Sequence, residues 1–337
     1  MKVLAAGDHF IRTTLIAEAL RQRLPDAYLE LTELTLPWPL QPFGPVAEVR
    51  EASDAEDELI KALDGVEVCI TQMAPFTERV LDASPALKLI VVCRGGPVNV
   101  NVAAARERGV QVCYTPGRNA AATAEFTIGL MLSALRRIPD AHIALASEGI
   151  WDSSFYTYEH SGLELEDTPV GLVGYGAVGS RVARVLCAFG AEVEVYDPYV
   201  RGDVHGMRAP SLDTLLRRSR VLTLHARLTD ETRGLIGARE LALLPEGAVV
   251  VNVARGALLD TEALCDALDS GRLAGAALDT YDPEPLPEGD RLLTTPNLVL
   301  TPHVGGASGA VARKAARIAA EEVSRYTQST PLLHPAP

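Results

Sequence analysis

The chain has 337 residues, of which 47% are hydrophobic and 22% charged, and its formal net charge is −13. That length suits about two domains, each able to bury a core without disulfides or metals. The acidic balance argues against nucleic acid or an anionic membrane as a partner, whereas a small anionic ligand stays open because a local group of arginines outweighs a global charge. From the start of the chain, apolar runs predict strands at residues 2–6, 66–71, 89–93 and 110–113, and helical patterns fall at 11–24, 54–63 and 102–108. A second series of strands is predicted at 169–173, 192–196, 221–224, 248–253, 275–278 and 298–300, with a helix at 261–268. Such alternation specifies right-handed βαβ units, hence doubly wound parallel sheets with both faces covered. Residues 36–45 and 282–289 are rich in Pro and Gly, and the tail 329–337 is expected to fray.

Residues 120–147, with a break near Pro139, are almost all small and apolar. A helix apolar nearly all round is buried on every side, either inside a core or at a subunit interface. The five cysteines, Cys69, Cys93, Cys113, Cys187 and Cys265, are odd in number and contain no CxxC pair. Neither a disulfide framework nor a metal site is expected, and a reducing compartment, the cytoplasm, is. The first residues meet Asp8 too early for a signal-peptide core, and no apolar run reaches the ~20 residues of a membrane helix.

The strand 169–173 runs directly into Gly174, Tyr175, Gly176, Ala177, Val178 and Gly179, after which a helix and a second strand end at Asp197. This is GxGxxG in the context that gives it meaning. Gly174 permits the turn, Gly176 lets backbone approach a pyrophosphate, and Gly179 seats the helix, whose amino end offers free amides to phosphate. Asp197 lies 18 residues past Gly179, near the spacing of a ribose-binding acid, and a carboxylate there favours NAD over NADP. Tyr175, Ala177 and Val178 fall within the same cofactor loop.

Three later segments carry candidate chemistry. Arg255 ends an apolar strand, Asp279 and Glu284 follow another, and His303 sits in a Pro/Gly loop. Hydride exchange with a 2-hydroxy acid needs a cation for the carboxylate and carbonyl, a group that exchanges a proton near neutral pH, and a carboxylate that orients it. Arg255, His303 and Glu284 fill these roles in that order. The other six histidines show that histidine alone is no signal.

Taken together, Leu87-Lys88-Leu89-Ile90, the glycine loop, Asn252-Val253-Ala254-Arg255-Gly256-Ala257-Leu258-Leu259-Asp260, Ala277-Leu278-Asp279 with Glu284-Pro285, and Thr301-Pro302-His303-Val304-Gly305-Gly306 resemble the D-isomer-specific 2-hydroxyacid dehydrogenase family across nearly the whole chain. The resemblance to this family, phosphoglycerate dehydrogenases included, implies two doubly wound domains with an interdomain cleft. The substrate domain is expected at 1–112 plus 308–337 and the NAD domain at 113–307. It further implies that Arg255 binds substrate, that Glu284 pairs with the acid/base His303, and that Asp279 meets the nicotinamide amide. Val253, Ala254 and Gly305 are expected beside the cofactor. The helix after Asn119 resembles the family's dimer-forming element, which implies a homodimer acting on a small 2-hydroxy or 2-keto acid. Formate dehydrogenases of the superfamily carry glutamine at the place of Glu284, which disfavours that branch.

One loop departs from the family pattern. Residues 93–101 carry Val98 and Asn101 at the two usual aspartate places, although amides near Gly95 and Gly96 can still cradle an anion. Arg94 is expected as a second substrate anchor, for a phosphate or distal carboxylate, with Arg118 a weaker candidate of the same kind. The aromatic segment 152–160 reads as a surface loop. Two rival functions stand beside the main one: an NADP-linked glyoxylate or hydroxypyruvate reductase, and a non-enzymatic NAD-responsive binding protein. The chain ends soon after the histidine loop, so no C-terminal regulatory domain is expected.

Overall fold

The computed structural model describes all 337 residues. Strands β1 (Lys2–Gly7), β2 (Glu30–Thr35), β3 (Val68–Thr71), β4 (Leu89–Val92) and β5 (Gln111–Tyr114) form a parallel sheet in the order β2-β1-β3-β4-β5. Every residue of β3 and β4 is buried, as continuous apolar runs inside a parallel sheet require. The edge strand β2 escapes a search for apolar runs because Glu-Leu-Thr-Glu-Leu-Thr is rich in charged and polar residues and only partly buried. One face of this sheet is covered by helices Thr13–Arg23 and Gly309–Thr327. The latter buries Ala312, Ala315, Ala316, Ala319, Ala320 and Val323, a stripe at helical spacing, beneath a Ser308 cap.

This unit comprises Met1–Asn119 and Ala307–Pro337. The first boundary therefore lies beyond the expected residue 112, because β5 pairs with β4 and its strand belongs to this sheet. The tail does not fray. The Tyr114 amide donates to the His334 carbonyl, the Ala336 amide donates to the Val112 carbonyl, and Cys113 bridges Pro335, so the tail lies along the free edge of β5. Glu322, fully buried, accepts from the Leu333 and His334 amides at 2.9 and 3.0 Å and bonds His334 Nδ1 at 2.7 Å.

The second unit, Ala120–Gly306, holds β6 (Pro169–Val173), β7 (Glu192–Tyr196), β8 (Met207–Arg208), β9 (Val221–Leu224), β10 (Ala248–Asn252), β11 (Leu273–Leu278) and β12 (Leu298–Leu300). All run parallel in the order β12-β11-β10-β9-β6-β7-β8, so the strand order reverses between β6 and β9. In such a sheet ligands collect outside the carboxyl ends of the strands, at the reversal. Its core lies on both faces, one side packed by Ala124, Ile128 and Met131 with Val182 and Leu186, the other by Leu215, Leu241 and Leu264.

The apolar stretch after Asn119 forms two helices, Ala120–Leu135 and Ile138–Ala146. The break falls at Arg137, which is left-handed (φ 51°), while Pro139 is accommodated in the first turn of the second helix. The first helix buries eight residues in the core. The second buries none, because the turn at Arg137 carries it off the sheet, so burial on every side fails there. Ile138, Ile143, Leu145 and Trp151 all stand exposed, and no helix of the chain is long and apolar enough to cross a membrane.

Replacing Glu322 by Ala leaves two amides without their acceptor. The variant should lose about 1–3 kcal/mol of stability and expose residues 333–337 to carboxypeptidase, measured by urea unfolding and mass spectrometry.

Candidate active site

Each functional segment of the second unit follows the carboxyl end of a strand: Gly174 after β6, Asp197 after β7, His225 after β9, Arg255 beyond β10, Asp279 after β11 and His303 beyond β12. Parallel strands put all these ends on one edge, so residues far apart in the chain share a face.

The three glycines of the loop answer to different constraints. Gly174 has φ +92°, and a Cβ there would stand 2.5 Å from the Ala226 amide and 2.6 Å from the His225 carbonyl carbon. A Cβ on Gly179 would meet the Gly174 carbonyl oxygen at 2.1 Å. At Gly176 a Cβ would meet nothing within 4 Å. Protein packing thus demands glycine at the first and third positions. At the second it leaves an open cradle before the helix Gly179–Ala188, which fits a dinucleotide pyrophosphate. Asp197 Oδ2 accepts from the Tyr175 amide at 2.7 Å and Oδ1 from the Tyr199 amide at 2.8 Å, so the acid expected at the ribose also braces the loop. His225 bonds Thr223 Oγ1 at 3.0 Å and is pushed down to about 3 by burial. It stays neutral and does not compete as a proton carrier.

Arg255 is held by its strand. The Asn252 side chain donates to the Arg255 carbonyl at 2.9 Å and accepts from the Ala254 amide at 3.0 Å, closing the turn that presents an exposed arginine. Gly256 must follow, since a Cβ there would overlap the Tyr281 backbone at 2.0 Å. That contact seats the arginine turn against the loop carrying Glu284.

The histidine loop is gathered by Asp279, which is 1% exposed. Its Oδ1 accepts from Thr301 Oγ1 at 2.6 Å and the Val304 amide at 2.9 Å, and its Oδ2 from the Gly305 amide at 2.8 Å. The structure thus gives Asp279 the work of anchoring this loop. Tyr281 ties the two loops together: its hydroxyl donates to the Leu278 and Thr301 carbonyls at 3.1 and 2.9 Å, and its amide donates to Glu284 Oε1 at 2.8 Å. Burial pushes the phenol up to about 12, so it remains a donor at physiological pH. Between these restraints His303 adopts φ +53°, a left-handed conformation that non-glycine residues hold only when neighbours enforce it.

His303 Nδ1 lies 2.7 Å from Glu284 Oε2. Burial raises the pKa of the Glu284 carboxyl, but the hydrogen bond to His303, the Tyr281 amide and the charges of His303 and Arg255 outweigh it, and the net shift is downward. The carboxylate is therefore ionised throughout the neutral range. With Nδ1 committed to Glu284, Nε2 is the ring nitrogen left for a substrate. Arg255, Glu284 and His303 are thus brought to one edge, with Gly305 packed against Val253 and Asp279. Arg94, Gly95 and Gly96 belong to the first unit, where Arg94 forms an ion pair with Glu51 at 2.8 Å. Asn252, Thr301 and Tyr281 went unassigned in the sequence. Asn252 carried a signal, as the one polar residue in an otherwise apolar strand, and the other two carried none.

The family described as D-isomer specific 2-hydroxyacid dehydrogenase, NAD binding domain, matches residues 128–305. A glyoxylate reductase of Thermofilum pendens is 35% identical over 283 residues, covering 82% of this chain and 83% of that protein. A D-3-phosphoglycerate dehydrogenase of Methanocaldococcus jannaschii is 35% identical over 286 residues, 83% of this chain but only 53% of that protein. The crystal structure of the TT0316 protein from Thermus thermophilus superposes with a TM-score of 0.80 at 33% identity, covering 99% of both chains.

The glycine loop makes a discriminating prediction. Gly176→Val should fold with an unchanged melting temperature yet lose NADH binding by about tenfold or more, read by nucleotide fluorescence. Gly179→Val should instead lower the melting temperature, because its side chain strikes backbone.

Proposed function

The chain belongs to the D-isomer specific 2-hydroxyacid dehydrogenase family and is an NAD-dependent oxidoreductase, and we propose that Arg255, Glu284 and His303 perform its interconversion of small 2-hydroxy and 2-keto acids. The single observation that carries this reading is the 2.7 Å contact of His303 with a Glu284 carboxylate that also feels Arg255. The Gly176 cradle, the helix beyond it and Asp197 would hold the dinucleotide, with Tyr175, Ala177, Val178, Val253, Ala254, Asp279 and Gly305 lining it. When bound, its nicotinamide supplies the site that gives or takes a hydride.

The chain's own groups do the rest. Arg255 binds the substrate carboxylate and polarises the carbonyl. In oxidation, neutral His303 takes the hydroxyl proton, and Glu284 stabilises the imidazolium that forms. In reduction, the imidazolium returns that proton to the developing alkoxide. Substrate contacts are also assigned to Arg94, Gly95 and Gly96. A Cβ at either glycine would meet nothing within 4 Å, so their backbone is open to an anion. The matches to a glyoxylate reductase and to a phosphoglycerate dehydrogenase, each 35% identical over more than four-fifths of this chain, support a short 2-keto acid and a phosphorylated one alike.

A homodimer would cover the exposed helix Ile138–Ala146 and the Trp151, Tyr156 and Tyr158 side chains after it, a run of large apolar groups that monomers rarely leave in water. The cytoplasm suits five cysteines that are all free.

His303→Ala should cut kcat by about 10²–10⁴-fold with NADH affinity intact, and full activity would refute the assignment. Glu284→Gln removes the carboxylate that lies 2.7 Å from the ring and orients it, so kcat should drop by about tenfold or more with NADH affinity intact, read by steady-state kinetics. For the assembly, Ile143→Glu combined with Leu145→Glu should halve the mass seen by light scattering, and an unchanged mass would exclude this helix from the interface.

A further inference from the structure

The seven-stranded sheet places β6 between β9 and β7, so the loops after β9 and β7 flank the glycine loop that follows β6. A side-chain bond joins those flanking loops: the hydroxyl of Tyr199, two residues past Asp197, donates to Glu231 Oε2 at 3.3 Å. A bond from beyond β7 to beyond β9 spans the carboxyl end of β6, and it brings Glu231 to the side of the glycine loop that Asp197 occupies. Both ends are fixed. Thr232 Oγ1 accepts from the Thr229 amide at 2.8 Å and donates to the Arg227 carbonyl at 2.6 Å, which closes the turn that carries Glu231. At the other end the Tyr199 amide donates to Asp197 Oδ1 at 2.8 Å, and the Tyr175 hydroxyl of the glycine loop accepts from the His205 amide at 2.7 Å.

Two carboxylates act on this one hydroxyl. The charge and hydrogen bond of Glu231 first, and then the charge of Asp197, hold the Tyr199 phenol above its usual range, so it remains a proton donor to Glu231 at neutral pH. Neighbouring cations do not cancel Glu231. Arg233 pairs with Asp282 at 3.0 Å, and Arg208 turns to the Gly202 carbonyl. Arg201 and Arg227 are exposed and neither pairs with Glu231.

We infer that Glu231, held by Tyr199, is a second cofactor-discriminating carboxylate beside Asp197 and makes the enzyme selective for NAD over its 2′-phosphorylated form. The inference rests on the nucleotide site proposed above and adds to it a residue from the loop after β9. The two dinucleotides differ in one group on the adenosine ribose. One has a hydroxyl, which can donate to a carboxylate, and the other a phosphate, which brings about −1.5 to −2 charge. The pyrophosphate is common to both and drops out of the comparison. Asp197 already accepts a backbone amide on each oxygen, so a second negative charge on the same side adds repulsion against the phosphate while leaving the hydroxyl form unopposed. Glu231 and Tyr199 are exposed, so the discrimination is screened by salt.

The test measures Kd for NADH and for NADPH by nucleotide fluorescence with no keto acid present. The wild type should bind NADH more tightly. The ratio of the NADPH Kd to the NADH Kd should fall about two- to fivefold in Glu231→Gln and less in Tyr199→Phe, with NADH affinity itself little changed. The double variant should fall no further than Glu231→Gln alone, because Tyr199 acts through Glu231, and the effect of Glu231→Gln should shrink at high salt. A ratio within one variant does not depend on how much of it folds. A ratio untouched by Glu231→Gln, or wild-type binding of NADPH as tight as that of NADH, would overturn the inference and make Arg201 or Arg227 the dominant charge. If neither nucleotide binds, the nucleotide site falls and this inference with it. A failure of the His303 chemistry would leave these binding constants unmoved, so the two readings fall separately.

Discussion

A buried carboxylate at the end of β11 holds the chemistry of the second unit together. Asp279 can only accept hydrogen bonds, and its two oxygens take three donors from a single loop, the Thr301 hydroxyl and the Val304 and Gly305 amides. Those bonds bend residues 301–305 back over the sheet edge and put His303 into a left-handed conformation that it would not choose alone. The imidazole then meets Glu284, whose loop is secured to the same ground by Tyr281. Proton exchange depends on an imidazole and a carboxylate kept at hydrogen-bonding distance, and here the restraint comes from backbone and side-chain bonds on three sides.

Steric limits do the complementary work. Gly256 lets the arginine turn touch the backbone of Tyr281, so the guanidinium and the Glu284 loop share one edge. Gly174 and Gly179 let strand, loop and helix close on one another, while Gly176 alone opens outward. Two glycines therefore answer to packing and the third does not, a division that the shared motif conceals.

Apolar and charged surfaces outside this edge follow the same physics. Helix Ala120–Leu135 is stabilised by its buried face, whereas Ile138–Ala146, beyond the Arg137 break, has apolar side chains and no protein to cover them. In the first unit the opposite imbalance occurs: polar atoms of Asp8, Gln72 and Arg118 are withdrawn from water without partners. Each imbalance is a free-energy cost within the chain.

Much of this was legible in the residues. Strands β6 and β9 begin and end where their apolar runs do, because a strand covered on both faces is apolar almost throughout. The glycine loop, Arg255, Glu284 and His303 could be picked out because their chemistry demands those residue types at strand ends. β2 was hidden by its edge position, which tolerates charge, and the tail by Glu322, whose partners lie in residues that look unstructured. The sequence by itself determined the two parallel sheets and the glycine loop after β6, since periodicity and residue chemistry are local properties. Only the tertiary structure decided that Asp279 and Tyr281 hold the histidine loop, that the second apolar helix stands uncovered, and that Arg94 pairs with Glu51 while two nitrogens of Arg118 have no hydrogen-bond partner, because each of these depends on which groups meet across long stretches of chain.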